Sequence, residues 1–214
     1  KLSDAAHEAG ALFIVDATQS AGAIPIDGKT CAIDALVCGA YKWLCGPFGA
    51  AVMYINPELQ QKLEPGLVGF RSHKHMWDLD PGRIEYPDTA KKFEFSTMAF
   101  GCARGLEASI RYILDIGVET ICTHNRLLTD QLIAGLIKQN ARILSPVNDK
   151  ERSAIVATNF EGYDSAALVQ KLKEQQVFIS LRANTLRFSP HFYNTKDDIE
   201  ITLDHIEQLI KTKK

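Results

Sequence analysis

Two residue types that can do chemistry together follow two apolar stretches early in the chain. Asp16 ends the run Leu12–Val15, and Lys42 ends a second run that begins at Ala35–Cys38. Both runs predict buried parallel strands, and open α/β sheets bind ligands beyond the carboxyl ends of such strands. An amine forms a Schiff base with an aldehyde, and a carboxylate keeps a pyridine nitrogen protonated. This pairing is what pyridoxal 5'-phosphate (PLP) chemistry requires. These two residues alone leave an alternative open, in which the aspartate and the lysine lie on separate loops and do not share a site.

The other patterns describe the elements that must position these residues. Ser3 to Ala9 predicts an amphipathic helix that ends at Gly10, a residue typical of helix ends. Gly66 to Lys92 has little periodicity, which is typical of a functional or mobile loop. The remaining predictions are a strand at 50–55, helices at about 57–63, 97–114, 118–139 and 164–175, strands near 154–158, 177–181 and 185–189, and a helix from Lys196.

These elements divide into two predicted domains. Residues 1–115 are expected to form the carboxyl-terminal part of a large α/β domain that binds PLP, and residues 116–214 a small α+β domain. Lys1 is not an initiator methionine, and the chain already reads as helical from Ser3. We therefore expect the chain to be the carboxyl-terminal part of a longer enzyme.

Four separated segments resemble the class V aminotransferase family of PLP enzymes, which includes cysteine desulfurases, selenocysteine lyases, kynureninases and isopenicillin N epimerase-like proteins. The resemblance covers nearly the whole chain. It implies an α/β protein of PLP-dependent transferase fold type I, with PLP as cofactor, an amino acid as substrate, and a homodimer that shares its active sites. The segments are Val15–Gln19, Tyr41–Leu44 with Gly46–Gly49, Phe93–Thr97, and Leu186–Asn194.

The first two segments carry the cofactor residues that the resemblance implies. Asp16 pairs with the pyridine nitrogen, and Gln19 donates to the phenolic oxygen of the ring. Lys42 forms the Schiff base and then removes the Cα proton of the substrate. Thr18 packs its methyl group on one ring face, and the hydroxyl of Tyr41 reaches the phosphate.

The last two segments imply phosphate and substrate contacts. The resemblance implies that Thr97, with Ser96 before it, contacts the phosphate of the cofactor bound to a neighbouring subunit. We also expect Thr97 to begin a helix, whose amino terminus presents N–H groups to an anion. Ser96 stands where the family has glycine. Arg187 grips the substrate carboxylate with its guanidinium, and Arg182 competes for the same role.

Composition limits the classes of partner. The 214 residues are 46% hydrophobic and 23% charged, with a net charge of -2 and no basic tract. Neither a nucleic acid nor a membrane is therefore expected as a partner. Five cysteines without a CxxC pair indicate reduced thiols and a cytoplasmic protein. His73 and His75 have no evident third ligand, so no metal site is predicted.

The reaction stays open at this level. Gln175–Leu186 contains no cysteine and the last cysteine is Cys122, so desulfuration by an enzyme thiol is disfavoured. Selenocysteine lyase-like or cysteine lyase activity remains, as do transamination, β-elimination, Cα–Cβ cleavage and epimerisation. A protein with this fold that binds or interacts without catalysis is a further alternative, against which an intact Lys42 argues.

Overall fold

The computed structural model describes residues 1–83 and 85–211. Within them, one compact unit comprises Lys1–Ala21 and Ile26–Asp115, and the other comprises Gly22–Pro25 and the chain from Ile116 onward. Residues 212–214, which the sequence analysis assigns to the second domain, lie outside the described residues. The assignment of residues 1–115 and 116–214 to a cofactor domain and a small domain stays a prediction.

The first unit contains a three-stranded sheet in the order β1-β2-β3. β1 pairs in parallel with β2, which places Asp16 opposite Val37, and β3 runs antiparallel to β2. The strands are β1 (Ile14–Asp16), β2 (Ala35–Gly39) and β3 (Ala51–Ile55), and the helices of this part of the chain are α1 (Leu2–Glu8), α2 (Pro57–Lys62) and α3 (Phe100–Ile116).

The two faces of this sheet differ in burial. Cys38 on β2 is buried, whereas the side chains of Ile14, Val37 and Met53, which share the other face, are 62%, 42% and 54% exposed. The prediction of a buried strand over Leu12–Val15 is therefore wrong in its burial and its bounds. Alternate residues of a strand point to opposite faces, and only one face of this sheet is covered in the described part of the chain.

The second unit packs helices against a four-stranded antiparallel sheet in the order β4-β5-β7-β6. Leu186 and Phe188 of β7 are buried in the same apolar core as Leu132 and Leu136 of α4. Asp164 caps α5, since its Oδ1 accepts a hydrogen bond from the N–H of Ala166 at 2.9 Å. The strands are β4 (Arg142–Ile143), β5 (Val156–Asn159), β6 (Ser180–Arg182) and β7 (Thr185–Phe188), and the helices are α4 (Val118–Lys138), α5 (Ser165–Glu174) and α6 (Lys196–Lys211).

The β6–β7 hairpin has a turn that offers a test of stability. Ala183 and Asn184 have φ angles of 45° and 59°, as a two-residue turn with both central residues in the left-handed region requires. A residue with a Cβ is destabilised by about 1–2 kcal/mol in this region. Glycine avoids this strain, but it lowers the free energy of unfolding by about 0.5–1 kcal/mol because the unfolded chain has more conformational freedom. We expect Ala183→Gly to raise the free energy of unfolding by about 0.5–1 kcal/mol, measured by urea denaturation.

Ala167→Gly is the matched control, because Ala167 is an exposed residue inside α5. There the same change should lower the free energy of unfolding by roughly 0.5–1 kcal/mol. Equal destabilisation by the two substitutions would show that the hairpin is not strained at Ala183.

Candidate active site

Asp16 is the last residue of β1, and its carboxylate is held by the turn that follows. Its Oδ1 accepts a hydrogen bond from the backbone N–H of Thr18 at 2.9 Å. Hydrogen bonds from the side chain and backbone of Thr18 hold the pKa of Asp16 below its ordinary value, and the positive charge of Lys42 adds to this effect. The site therefore offers a charged carboxylate at neutral pH.

Lys42 lies in a turn beyond β2 and not at the end of the strand itself, which corrects the sequence-based prediction. β2 ends at Gly39, and the chain then folds back, with the N–H of Gly46 donating to the carbonyl of Ala40 at 2.8 Å. The Lys42 Nζ lies 5.8 Å from the centroid of the Tyr41 ring. The lysine side chain is half-buried next to Trp43, which is only 3% exposed. The turn thus holds the amine at the sheet edge where β1 ends.

Thr18 joins the ends of the two strands. Its Oγ1 accepts a hydrogen bond from the N–H of Gly39 at 3.0 Å, and the N–H of Ala17 donates to the carbonyl of Val37 at 2.7 Å. The pairing of β1 with β2 therefore continues past Asp16. Thr18 is predicted to pack its methyl group on a ring face, and that role stays a prediction. The structure adds that its hydroxyl ties the strand of the acid to the strand that leads to the lysine.

Gln19 is oriented by a buried indole. The Nε1–H of Trp43 donates to the Gln19 Oε1 at 3.4 Å, so the amide is fixed from the lysine side of the site. Trp43 is a residue that the sequence analysis did not assign a role. The sequence did offer a signal for this role, namely the position of Trp43 directly after Lys42. A large buried side chain next to a reactive lysine restricts how the lysine can move.

Tyr41 stands at the edge of this group, with a side chain that is 46% exposed. Its ring stacks on Phe48, with centroids 5.2 Å apart and an angle of 16° between the planes. A Cβ added to Gly39 would lie 2.8 Å from Tyr41 Cε1, so the ring occupies space that only glycine leaves open. The structure thus brings Asp16, Thr18, Gln19, Tyr41 and Lys42 to one sheet edge, and their roles toward a cofactor stay predictions.

Ser96 and Thr97 lie in an exposed, irregular segment. The expectation that Thr97 begins a helix is wrong, because α3 starts at Phe100. Neither residue therefore stands at a helix amino terminus, so the argument from free helical N–H groups does not apply to them. Any contact of Ser96 or Thr97 with a phosphate must come from the side chains or from irregular backbone.

Long-range contacts hold the start of this segment. Arg71 donates to the Glu94 Oε2 from Nε at 2.9 Å and from Nη2 at 2.7 Å. The buried Ser72 donates from Oγ to the carbonyl oxygen of Glu94 at 2.7 Å. A Cβ added to Gly69 would lie 1.9 Å from the carbonyl oxygen of Phe95. This packing leaves no room for a side chain at Gly69, and it holds Glu94 and Phe95 in the irregular segment that precedes Ser96.

Arg187 and Arg182 belong to the second unit. Arg187 lies on β7 opposite Ser180, and Arg182 lies on β6 opposite Thr185. α5 ends at Glu174 and β6 begins at Ser180, so the connection before Arg182 is short, and it contains no cysteine. The structure leaves the choice between the two arginines as carboxylate anchor untested.

Two further properties concern other kinds of site. In residues 1–83 and 85–211, no three His, Cys, Asp or Glu side chains are grouped so that they could hold a metal ion. In the same residues, no helix combines the length and the apolar character that crossing a membrane requires.

Comparison with known proteins identifies the family. The model of the aminotransferase class-V family matches residues 1–202. The chain belongs to the class V aminotransferase family. The "Uncharacterized aminotransferase YcbU" of Bacillus subtilis (strain 168) is 28% identical, with 96% of this chain and 53% of that protein covered. A "Probable cysteine desulfurase" of Pyrococcus abyssi (strain GE5 / Orsay) is 29% identical, with 99% of this chain and 55% of that protein covered.

The fold agrees with that of solved relatives. The apo structure of a cysteine desulfurase from Thermococcus onnurineus NA1 superposes with a TM-score of 0.88 at 28% identity. The match covers 99% of this chain and 55% of that one. The fold is therefore that of the PLP-dependent enzymes of fold type I, as the sequence predicted. The chain spans about half the length of the relatives that it matches.

Proposed function

We propose that this chain carries the lysine-bearing part of a PLP-dependent enzyme that acts on an α-amino acid. The observation that carries the proposal is the pairing of β1 with β2, which brings an ionised carboxylate, Asp16, and a half-buried amine, Lys42, to one edge of a sheet. The donor set fits PLP, because the cofactor presents an aldehyde to an amine and a basic ring nitrogen to an acid. Membership of the class V aminotransferase family supports the same conclusion.

Each residue of the site has a task in this proposal. PLP, when bound, supplies a ring that accepts electrons from the substrate Cα. Lys42 would hold the cofactor covalently, and its amine, when free, would take the proton from the substrate Cα. Asp16 holds a proton on the ring nitrogen. Gln19, oriented by Trp43, hydrogen-bonds the phenolic oxygen, and Tyr41 reaches toward the phosphate.

The reaction is not expected to be desulfuration by a thiol of this chain. The second unit holds a single cysteine, Cys122, which is buried in α4. No cysteine follows it, so no thiol lies on the connections around β6 and β7. We propose transamination or Cα/Cβ lyase chemistry, with Arg187 binding the α-carboxylate of the substrate through two parallel hydrogen bonds. These reactions need no nucleophile beyond the Lys42 amine.

We also propose that the working unit is a two-fold homodimer, with Ser96 and Thr97 serving the phosphate of the partner subunit. Both residues are exposed, and so are Phe95, Met98 and Phe100 beside them, at 49%, 40% and 58%. An exposed apolar run around a polar pair is what an interface with a bound anion at its edge would show. Sedimentation of the protein as an active monomer would contradict this assembly.

The cysteines support a location for the enzyme. In the described part of the chain no disulfide joins any of the five cysteines, although several approach the surface. Thiols persist in this state in reducing compartments. We therefore propose that the enzyme works in the cytoplasm.

The experiment that tests the function is a panel of amino acids given to the PLP-loaded protein, with products identified by mass spectrometry. A keto acid with transfer of the amino group indicates transamination, release of a side-chain fragment indicates lyase chemistry, and loss of optical activity indicates epimerisation. PLP attachment without turnover of any amino acid would favour the non-catalytic alternative. A protein that binds no PLP would overturn the proposal.

A further inference from the structure

Helix α3 packs against the turn that carries the lysine of the proposed site, which spans residues 40–49. Both segments belong to the first unit. A Cβ added to Gly46 of the turn would lie 3.1 Å from Leu106 Cδ1 of the helix. A Cβ added to Gly105 of the helix would lie 3.1 Å from Pro47 Cγ of the turn. Both distances are shorter than ordinary contacts between carbon atoms, so a glycine on each side lets the helix and the turn approach this closely.

Ser109 adds a hydrogen bond to this packing. Its Oγ donates to the carbonyl oxygen of Leu44, which lies 65 residues earlier in the chain. Ser109 is three residues beyond Leu106 and four beyond Gly105, so these three residues share one side of α3. The helix therefore holds the turn at one backbone carbonyl as well as by packing.

The hydrogen bond from Ser109 acts on Lys42 through a single peptide group. The carbonyl of Leu44 and the N–H of Cys45 belong to the same peptide group, which is planar. The N–H of Cys45 donates to the carbonyl oxygen of Lys42 at 2.8 Å. Ser109 thus holds one side of this peptide group, and its other side holds the backbone of the residue that bears the amine.

This peptide group has an orientation that Cys45 by itself disfavours. Cys45 has a φ of 52°, in the left-handed region, where the Cβ of a residue crowds a neighbouring carbonyl oxygen. Rotation of the peptide group would bring Cys45 to a negative φ, and it would turn the carbonyl away from Ser109 and the N–H away from Lys42. A strained backbone persists where the surrounding structure holds it. The hydroxyl of Ser109 provides such a hold from a neighbouring helix.

We infer that Ser109 is a positioning residue for the Lys42 amine. This inference rests on the proposed function, in which Lys42 is the base. Ser109 acts through the peptide group between Leu44 and Cys45, and not by contact with the reacting atoms. Without the hydroxyl, this peptide group rotates in a fraction of the molecules and releases the Lys42 backbone. A base that leaves the reach of the proton that it removes slows proton transfer and leaves substrate binding nearly unchanged.

The first test needs no cofactor. Ser109→Ala should speed hydrogen exchange within residues 40–49 by about 3- to 10-fold, the effect of losing one hydrogen bond. Acetic anhydride should acetylate the half-buried Lys42 faster by a similar factor, with Lys29 in the same molecules as reference. Mass spectrometry of peptides measures both. Alanine is a better helix former than serine, so this substitution does not weaken α3 itself. Unchanged exchange and unchanged acetylation of Lys42 would overturn the inference.

The second test measures turnover by the PLP-loaded protein. Ser109→Ala should lower kcat by about 10-fold and change KM by less than about threefold. Ser109→Thr keeps the hydroxyl and should restore most of the lost kcat. Adding Cys45→Gly to Ser109→Ala should recover at least about threefold in kcat, because glycine adopts a positive φ without strain. Failure of both changes to recover turnover would show that the hydroxyl does not act through this peptide group.

Ser165→Ala is the matched control, because it removes the same kind of hydrogen bond in the second unit. The Ser165 Oγ donates to the carbonyl of Asn184 at 2.9 Å, and Asn184 also has a positive φ, of 59°. This substitution should leave exchange within residues 40–49 and acetylation of Lys42 unchanged. Equal changes in the Ser165 and Ser109 variants would show a general loss of stability and would overturn the inference.

The outcomes for this inference and for the proposed function can be told apart. A protein that turns over no amino acid, but in which Ser109→Ala alone speeds exchange within residues 40–49 and acetylation of Lys42, would refute the proposed function and support the positioning of Lys42. Faster exchange and acetylation in Ser109→Ala beside an unchanged kcat would support the proposed function and overturn the role of Ser109 in turnover.

Discussion

Replacing Lys42 with alanine should abolish covalent attachment of PLP and lower kcat by at least about 10³-fold, since proton transfer by a positioned base alone contributes about 10²- to 10⁴-fold. Lys42 lies in the turn after β2, and its positive charge acts on the Asp16 carboxylate, so we assign its amine to the proposed site. Borohydride treatment of the PLP-loaded protein followed by peptide mass spectrometry should find the cofactor on Lys42, and on no lysine of the Lys42→Ala variant.

Lys29→Ala provides the control, because Lys29 is an exposed lysine in the same unit. Its attachment of PLP and its kcat should match the unchanged protein. A small primary amine added to the buffer should restore part of the lost turnover of Lys42→Ala, because it replaces the missing base. Borohydride fixation of PLP on another lysine in the Lys42→Ala variant would show that the assignment of Lys42 is wrong.

Replacing Asp16 with asparagine should lower kcat by about 10²- to 10³-fold, the usual effect of removing one preorganised electrostatic partner. An amide carries no negative charge, so it cannot hold a proton on the ring nitrogen. Asparagine can still accept the hydrogen bond from the N–H of Thr18, and the turn after β1 should therefore persist. PLP should remain attached to Lys42 while turnover is lost, which separates a chemical defect from a folding defect.

Asp34→Asn makes the same charge change at the opposite end of β2. The Asp34 carboxylate accepts hydrogen bonds from the N–H of Phe13 at 2.7 Å and from the Asn56 Nδ2 at 2.8 Å, so its loss should affect stability and leave kcat near the original value. A similar fall in kcat for both variants would indicate that charge in general, and not Asp16, supports turnover.

The pH dependence of turnover should also reflect Asp16. Its pKa lies below the ordinary value because of the hydrogen bonds from Thr18, so the carboxylate stays charged at neutral and weakly acidic pH. Any stability that this charge contributes is present at neutral pH and is lost only as the pH falls through the lowered pKa. A loss of activity between about pH 5 and 7 must therefore come from the titration of another group. The Asp16→Asn variant should lose its remaining activity over the same pH range as the unchanged protein.

The part of the site built by local sequence could be predicted. An apolar run that ends in Val15-Asp16 and a second run before Lys42 were enough to predict two parallel strands meeting at one edge, because this geometry follows from hydrophobic pattern and strand pairing. The boundaries of α4 and α5 were predicted within one residue for the same reason. Helical periodicity is carried by residues that are close together in the chain.

The parts that depend on distant contacts could not be predicted. Ser96 and Thr97 are residue types that commonly begin helices, yet the start of α3 is delayed to Phe100. The preceding backbone is held by Arg71, Ser72 and Gly69, more than twenty residues away. β4 is only two residues long, too short to show a periodic pattern. The hydrogen bond between Thr18 and Gly39 likewise joins residues that no local motif connects.

The pairing of β1 with β2 determines where the chain can change in length. The relative positions of the Asp16 carboxylate and the Lys42 amine depend on the register of Asp16 against Val37 and on the few residues from Val37 to Lys42. Side chains alternate along a strand, so one residue added to this short stretch would turn the following side chains to the other face and displace the amine. Residues 29–32 of the crossover are exposed and have no such restriction, whereas Ala23 and Ile33 of the same crossover are buried. Related sequences should therefore accept insertions and deletions at 29–32, while the number of residues from Val37 to Lys42 stays constant.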